Sequence, residues 1–246
     1  RANTVATPST KNQYAKFLMA QASIFVSGQQ ILKNFSGINQ SLQFKAGTTL
    51  KTISPLKTIF VEATIGENFP KEFALYDLNK LLAKVSLYKD AELGFEDDKL
   101  TINTENKKKS DFIKYCSPKV IVTPPEKAIT FGAPDCSFSV SEKDLDWMRK
   151  SAGISGSPNF VFESDGSVIN FIATDVKDDS ADQSRIEIGT GDGKEFRVVM
   201  KVENFKLLDG SYDVAIAKKG LAQFKHKSIP ITYYIAIEAA ASSFGE

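Results

Sequence analysis

The sequence predicts an α+β protein built from four similar helix-plus-hairpin units that are grouped into two sheet-rich domains. Four times, apolar residues at helical spacing are followed by two runs in which apolar and polar residues alternate, with a turn between the runs. A change of period from 3.6 to 2 residues is typical of a helix followed by strands. Three of the turns contain a glycine, Gly47, Gly166 or Gly220. Glycine accepts positive φ without a steric penalty, which favours hairpins at these places.

The predicted helices are short and the strands outnumber them, so each half of the chain is expected to be a sheet with two helices on one face. Ser141 is the predicted N-cap of the third helix, and Asp209-Gly210 is the predicted end of the fourth. The apolar residues that mark the four helices are Ile31, Leu32, Phe35 and Ile38; Leu78, Leu81, Leu82 and Val85; Leu145, Met148 and Ala152; and Val202, Phe205 and Leu208. The four predicted hairpins join SLQF to TTLKTI, AELGF to KLTI, NFVFE to VINFI, and SYDVAIA to LAQFKHK.

A proline-rich stretch divides the chain. Residues 117–135 contain four prolines, which favours an extended and fairly stiff connector. We therefore expect an N-terminal domain at 23–116 and a C-terminal domain at 136–246. Residues 1–22 are expected to be a loose or foreign leader, with a first strand at 23–26 and Ser27 as the cap of the first helix.

Composition argues against several functional classes. The 31 basic and 30 acidic residues give a formal charge of +1, so strong electrostatic wrapping of nucleic acid is not expected. No apolar run is long enough to span a membrane. Two cysteines and one histidine argue by their number and spacing against a disulfide scaffold or a zinc site, and we expect no metal and no cofactor.

Three apparent sites lack the pattern that their chemistry needs. The glycine-rich segment 189–193 has no Lys-Ser/Thr after it and is interpreted as a hairpin turn. The acidic loop departs from EF-hand spacing and is interpreted as solvated. His226 has no adjacent nucleophile pattern, so we expect no enzyme. The acidic loop contains Asp175, Asp178, Asp179 and Asp182.

Three segments carry a resemblance to a known family. ILKNFSGINQSLQFKAG at 31–47 and FALYDLNKLLAKVSLYKDAEL at 73–93 resemble the sliding clamps of T-even-like tailed bacteriophages. TYYIAIEA at 232–239 resembles the last strand of these clamps and that of the eukaryotic and archaeal clamps. The similarity runs with gaps from about Gly28 to the end of the chain.

The resemblance implies a DNA polymerase processivity factor with the DNA-clamp fold. In that family, three two-domain subunits form a ring with the sheets outside and twelve helices lining the hole. The ring encircles double-stranded DNA without reading its sequence, binds the C-terminal tail of the polymerase and is opened by an ATP-driven loader. It would act in the cytoplasm of the infected bacterial host, without catalysis and without a membrane. The edges that close the homotrimer are expected near 91–104 and 160–175.

The predicted helices carry a modest excess of positive charge. Eight cations stand against Asp77, Glu142, Asp144, Asp146 and Glu203, an excess of three compared with one for the whole chain. The alternative is that these lysines only solvate the outer faces of surface helices. The expected DNA-facing residues are Lys33, Lys80, Lys84, Lys143, Arg149, Lys150, Lys201 and Lys206.

An apolar groove at the connector and the last strand is expected to capture partner peptides, as this region does in clamps generally. The alternative is that Ile235 and Ile237 belong to the core, since one face of an alternating strand is buried. The expected groove residues are Val120, Ile121, Val122, Tyr212, Tyr234, Ile235, Ala236 and Ile237.

A second functional hypothesis is a non-enzymatic, β-rich viral structural or binding module, in which the repeats would come from sandwich architecture. Four lysine-bearing helices argue against it, because an ordinary sandwich has no need of them.

Overall fold

The computed structural model describes residues 14–16, 28–104, 106 and 108–245. Its helices in this part of the chain are α1 (Gly28–Ser36), α2 (Leu78–Ser86) and α3 (Glu142–Ser155). The strands are β1 (Tyr14–Lys16), β2 (Leu42–Phe44), β3 (Gly47–Ile53), β4 (Ile59–Phe69), β5 (Phe73–Leu75), β6 (Glu92–Phe95), β7 (Lys99–Asn103), β8 (Ser110–Lys114), β9 (Cys136–Val140), β10 (Asn159–Asp165), β11 (Val168–Thr174), β12 (Ser184–Thr190), β13 (Glu195–Lys201), β14 (Tyr212–Ala217), β15 (Leu221–His226), β16 (Ile231–Ala236) and β17 (Ser243–Phe244). No helix among the described residues combines the length and apolarity that crossing a bilayer requires.

The chain divides into two compact units. The first comprises the described residues up to 36 together with 40–50 and 65–121, and the second comprises 37–39, 51–64 and 122–245. This division falls inside the predicted connector, but it assigns 37–39 and 51–64 to the second unit. The reason lies in β4, whose first half pairs with β16, from Ile59 opposite Ile235 to Ala63 opposite Ile231. Such a long-range pairing leaves no local signal in the sequence.

The first unit contains a four-stranded antiparallel sheet in the order β1-β6-β7-β8 and a two-stranded sheet of β2 and β5. The predicted pairing of the first hairpin is wrong, because β2 pairs with β5 rather than with β3. The predicted hairpin of β6 and β7 is confirmed. The expected leader contributes β1, which pairs with β6 from Tyr14 opposite Gly94 to Lys16 opposite Glu92. The predicted strand at 23–26 and the Ser27 cap lie outside the described residues.

The second unit contains the five-stranded sheet β12-β11-β10-β13-β17. It also holds β16, β15, β14 and β9, which are neighbours in that order, with residues 59–63 of β4 beside β16. The third and fourth predicted hairpins, β10 with β11 and β14 with β15, are confirmed. The 189–193 loop is not a hairpin turn, because β12 and β13 are separated by β11 and β10. Phenylalanine rings fill the core of this unit: Phe160, Phe162, Phe171, Phe205 and Phe224.

Three of the four predicted helices are confirmed, and α2 and α3 follow one pattern. Leu78, Leu81 and Val85 are the buried residues of α2, at relative positions 0, +3 and +7. The buried residues of α3 have the same spacing, beginning at Leu145. Ser141 caps α3 as predicted, since its side chain accepts a hydrogen bond from the Asp144 N–H.

The fourth predicted helix is wrong. Only a 3-10 turn forms at Val202–Asn204, and the side chain of the preceding Lys201 makes no capping hydrogen bond to it. β13 runs through Lys201, which leaves seven residues before the stop at Asp209-Gly210. A helix of two turns has marginal stability, because forming its first hydrogen bond fixes the backbone dihedrals of several residues.

Side chains take over the backbone hydrogen bonds that this helix would have made. The Arg149 guanidinium donates to the carbonyl oxygens of Leu207 at 3.1 Å and Phe205 at 3.4 Å. The Tyr212 hydroxyl donates to the Leu208 carbonyl at 2.6 Å, and the Tyr233 hydroxyl accepts from the Leu208 N–H at 3.1 Å. Burial raises the pKa of both tyrosines, so they remain neutral phenols at physiological pH.

Arg149→Ala should therefore lower the free energy of unfolding by about 2 to 3 kcal/mol, because it leaves two carbonyls without a charged donor. Urea denaturation measures this directly. Lys150→Ala is the matched control, since the neighbouring Lys150 side chain is 73% exposed and its ion pair with Asp146 lies on the surface. Its effect should stay below about 1 kcal/mol. Equal losses for the two variants would contradict the structural role of Arg149.

Candidate nucleic-acid and partner-binding surfaces

The helices of the first unit present lysines on the side opposite the core. Lys33 is exposed on α1, whose buried residues include Ile31, Leu32 and Phe35. Lys80 is exposed on the first turn of α2, and the Asp77 carboxylate caps that turn by accepting from the Lys80 N–H at 3.2 Å. Within the bounds of α1 and α2 there are three lysines and no acidic residue. These two helices form a weakly positive surface.

Lys84 is held differently from its neighbour. Its ammonium donates to Asp111 Oδ1 at 2.5 Å, and the Tyr88 hydroxyl donates to Asp111 Oδ2 at 2.7 Å. The hydrogen bonds from Lys84 and Tyr88 hold the pKa of Asp111 below its usual range. Burial, together with the Asp111 charge, raises the pKa of Tyr88 to about 12. Lys84 therefore ties α2 to β8, and its charge is largely compensated.

The third helix is neutral overall. The bounds of α3 include three acidic and three basic residues. Lys143 and Lys150 are exposed, and Lys150 is paired with Asp146 at 2.7 Å. Arg149, expected to face DNA, has an exposed side-chain fraction of only 24% and is engaged with the 205–209 segment, including Asp209 at 3.6 Å. The structure therefore places Arg149 in a structural contact.

The two remaining predicted cations do not lie on a helix, because the fourth helix is absent. Lys201 ends β13 and lies 3.8 Å from the Glu238 carboxylate. Lys206 is exposed in the loop after the 3-10 turn, and its ammonium donates to the Gly37 carbonyl at 2.7 Å. Of the eight predicted residues, Lys33, Lys80 and Lys143 are the exposed helical lysines for which the described residues provide no ion pair.

Three of the predicted groove residues belong to the core. Ile235 and Tyr212 are fully buried, and Ile237 is 7% exposed. The alternative interpretation, in which Ile235 and Ile237 belong to the core, is therefore confirmed. Tyr234 and Ala236 lie on the other face of β16 and are half-buried. In the first unit, Val120 is 64% exposed and Ile121 is half-buried.

The second unit adds apolar residues that the sequence patterns did not single out. Leu56 is 82% exposed in the turn between β3 and β4, and Phe131 lies beside Tyr234 with 6.3 Å between ring centroids. The Leu56 turn lies at the end of β16, because the Ala236 N–H donates to the Thr58 carbonyl. The apolar surface of this unit is defined as Leu56, Val122, Phe131 and Tyr234. The signals by which the sequence could have indicated these two residues were a leucine in a turn and a phenylalanine in a proline-rich segment.

The acidic loop and His226, considered above as apparent sites, show no ligand-binding arrangement among the described residues. No group of three or more His, Cys, Asp or Glu side chains among the described residues is arranged to hold a metal ion. In the acidic loop, Asp178 accepts from the backbone and hydroxyl of Ser180. His226 is buried, with Nδ1 accepting from two backbone N–H groups at 228 and 229 and Nε2 3.0 Å from the Asp209 carbonyl oxygen. His226 therefore holds the loop before β14 in place.

Two sheets end in unpaired strands. β8 closes one side of the first unit's sheet, and β12 closes one side of the five-stranded sheet. The strands expected to provide edges, β6, β7, β10 and β11, each already have two neighbours in their sheets. Of the edge strands in the described sheets, β8 and β12 each lie one strand further along the chain than the segments expected at 91–104 and 160–175.

Comparison with known proteins shows which proteins the chain is similar to. Residues 27–123 match the family described as DNA polymerase processivity factor. The sliding clamp of Vibrio phage KVP40 is 29% identical over 216 residues, covering 85% of this chain and 96% of that protein. The sliding clamp of Enterobacteria phage T4 is 26% identical over 217 residues, covering 85% and 93%.

A solved structure, that of the C-terminal region of FEN-1 bound to A. fulgidus PCNA, has the same fold. Its TM-score is 0.64 at 13% identity, with 85% of this chain and 94% of that chain covered. The fold agrees with the predicted α+β clamp architecture, with three helices among the described residues where four were expected. The sequence matches and this fold agree with the expected resemblance to the sliding clamps of T-even-like bacteriophages.

Proposed function

We propose that this chain is one subunit of a ring that encircles duplex DNA and tethers the replicative DNA polymerase, which makes synthesis processive. The observation that carries the proposal is the alignment with phage sliding clamps over 85% of this chain and 96% of the Vibrio phage protein. Sliding clamps are not enzymes, so the chain works by holding its partners together. The alternative of a viral structural module has no comparable support.

The DNA-facing surface is assigned first to α1 and α2. Lys33 and Lys80 are exposed on helices that carry no acidic residue, whereas α3 balances three cations with three anions. Lys143 and Lys150 contribute less, and Arg149 is withdrawn from the set. Phosphate contacts carry no sequence information, so a few lysines centre the duplex without binding a particular site. Retention then comes from enclosure.

The polymerase tail is assigned to the apolar surface Leu56, Val122, Phe131 and Tyr234, with Ala236 retained from the predicted groove. Short peptides bind through a few anchors that enter apolar pockets. The A. fulgidus structure supports this assignment by analogy, because a partner's C-terminal region is bound to that clamp.

Self-assembly is assigned to the edges β8 and β12. An unpaired edge offers a row of backbone donors and acceptors to another chain. The exposed face of β8 carries Phe112 and Lys114, and that of β12 carries Arg185 and Glu187. Lys114 is already paired with Asp98, so backbone pairing rather than charge carries this assignment. Three head-to-tail copies would close the ring, and an ATP-driven loader would open it, in the cytoplasm of the infected bacterium.

Protein loaded on a nicked circular duplex should remain bound in high salt, whereas protein on a linear duplex should be lost from the ends. Salt weakens phosphate contacts steeply but does not open an enclosure. Gel filtration of the two DNAs after loading with the phage loader and ATP measures retention. Linearising the loaded circle with a restriction enzyme is the control and should release the protein. Equal loss from circle and linear DNA would contradict enclosure.

Lys33→Glu combined with Lys80→Glu should weaken binding to linear duplex more than Lys143→Glu combined with Lys150→Glu. The first pair removes uncompensated charge, and the second pair removes charge that α3 already balances. Removing one phosphate contact should lower the slope of log K against log salt by about 0.9. Fluorescence anisotropy over a salt series measures this slope. The assignment to α1 and α2 fails if the α3 pair has the larger effect.

Leu56→Asp should weaken binding of a peptide comprising the polymerase's C-terminal residues by about tenfold or more, because a charge replaces an apolar anchor. Isothermal titration calorimetry measures the dissociation constant. Tyr76→Asp is the control, since Tyr76 is an exposed apolar side chain of the first unit, 57% accessible. Unchanged binding by Leu56→Asp and Val122→Asp alike would remove this surface from the proposal.

A further inference from the structure

We propose that residues 238–245 form an intramolecular strap that closes the open side of β13, so that no second copy of the chain pairs with that strand. The inference goes beyond the proposed ring, because it concerns an edge that has to stay out of assembly. Releasing the strap should create a new joining surface on every copy and lead to growth that does not close.

β13 has the length and composition of a strand to which other chains add. On one side it pairs with β10 along all seven of its residues. The alternate side chains of one of its faces, Phe196, Val198 and Met200, are buried. A long edge strand with an apolar face invites edge-to-edge association unless something covers it. The strap occupies the second side of this strand.

The first end of the strap satisfies both backbone groups of Val199. The Val199 carbonyl accepts from the Glu238 N–H at 2.8 Å, and the Val199 N–H donates to Ser242 Oγ at 2.9 Å. The same hydroxyl donates to the Glu238 carbonyl at 2.8 Å. A serine oxygen therefore takes the place of the carbonyl that a neighbouring strand would offer to β13.

The second end of the strap is β17, which pairs with β13 as an antiparallel strand. Phe244 lies opposite Phe196, and Arg197 lies opposite the other residue of β17. The Gly245 N–H donates to the Glu195 carbonyl at 2.7 Å. In an antiparallel sheet, alternate residues direct their backbone groups to opposite neighbours, so 195, 197 and 199 are the positions that face the open side. The strap engages all three.

Phe244 is the one large apolar side chain of the strap, and it is half-buried. It borders two cavities of about 470 and 660 Å³, so it is incompletely packed. The alanines at 239–241 and Ser243 are exposed. The strap is therefore held by a few hydrogen bonds and one anchor, and a change at this anchor should release it.

A second copy of the chain is the occupant that an uncovered β13 would take. The strap itself shows that this side of β13 accepts an extended segment of this chain. Every copy also carries β8 and β12 at the edges of their sheets, with unpaired backbone groups on one side. An uncovered β13 would add a third such edge. Contacts between unlike surfaces that do not close by rotation produce open chains of copies.

The first experiment ends the chain after Ala241, which removes β17 and the Ser242 hydroxyl. Light scattering over a concentration series compares its molar mass with that of the full chain. The weight-average mass should exceed that of the full chain by about twofold or more and should keep rising with concentration, because open association has no natural end point. Far-ultraviolet circular dichroism checks that the shortened chain keeps its sheets.

A proline in the shortened chain tests whether β13 is the surface that associates. Arg197→Pro removes an N–H that faces the open side and leaves the hydrogen bonds to β10 in place. The mass should return to that of the full chain. Arg197→Ala in the shortened chain is the matched control, because it also removes the ion pair with Glu163 but keeps the N–H. This control should remain enlarged.

Phe244→Asp in the full chain provides a second variant that deletes nothing. It should raise the mass and make the β13 amides exchange with deuterium about tenfold faster or more, because a released strap no longer protects them. Ser243→Asp, at the exposed neighbour, should leave mass and exchange unchanged. If the shortened chain fails to fold, this pair of variants decides the question.

The outcomes separate the strap from the ring. A full chain that stays monomeric contradicts the ring, but enlargement on loss of the strap would still support the strap. Unchanged mass in the folded shortened chain would overturn the proposal, and so would unchanged mass and exchange in Phe244→Asp. Enlargement that Arg197→Pro does not reverse would also overturn it, because the association would then use another surface.

Discussion

A helix laid on a sheet can bury only one stripe of side chains, and this constraint determines which residues of the chain face outward. In α2, Leu78 begins the buried set at positions 0, +3 and +7, and Leu145 begins the same set in α3. Once those side chains are in the core, the opposite face follows from helix geometry. That face carries Lys80 in one helix and Lys143 in the other, together with an aliphatic residue at the C-terminal end. Charge and apolar contact area are thus distributed by a packing requirement.

The need to satisfy buried backbone groups explains why two predicted site residues have structural roles. The segment from 202 to 208 is too short and too poorly capped to form a helix, yet its carbonyls are partly withdrawn from water. Arg149 and Tyr212 donate to them, and Tyr233 accepts from the Leu208 N–H. An unpaired buried polar group costs about 1 to 3 kcal/mol, so these side chains are committed to the fold and are unavailable to DNA or a peptide.

The local periodicity of the sequence predicted the helices and hairpins that form through local interactions. Three helices and three hairpins follow from patterns of a dozen residues, with the Ser141 cap as the sharpest example. The pairing of β2 with β5 and of β4 with β16 could not be predicted, because the partners are far apart in sequence and both pairings compete with plausible local hairpins. The lysines were found by type, but whether each one is exposed or paired depends on such pairings. Lys84 illustrates this dependence. Its partner Asp111 lies on β8, which comes after α2, β6 and β7 in the chain.

A ring that holds DNA by enclosure has to meet two opposing demands on its joints. They must survive salt that removes phosphate contacts, and they must still open for loading. β8 has five residues and β12 has seven, so the proposed pairing of these edges would be short. Backbone hydrogen bonds each contribute only about 1 kcal/mol net, because water competes for the same groups in the open ring. In the proposed ring, apolar side chains beside the edges would add stabilisation that salt does not screen. Such a joint would resist salt through its apolar contacts and would open because its paired strands are short.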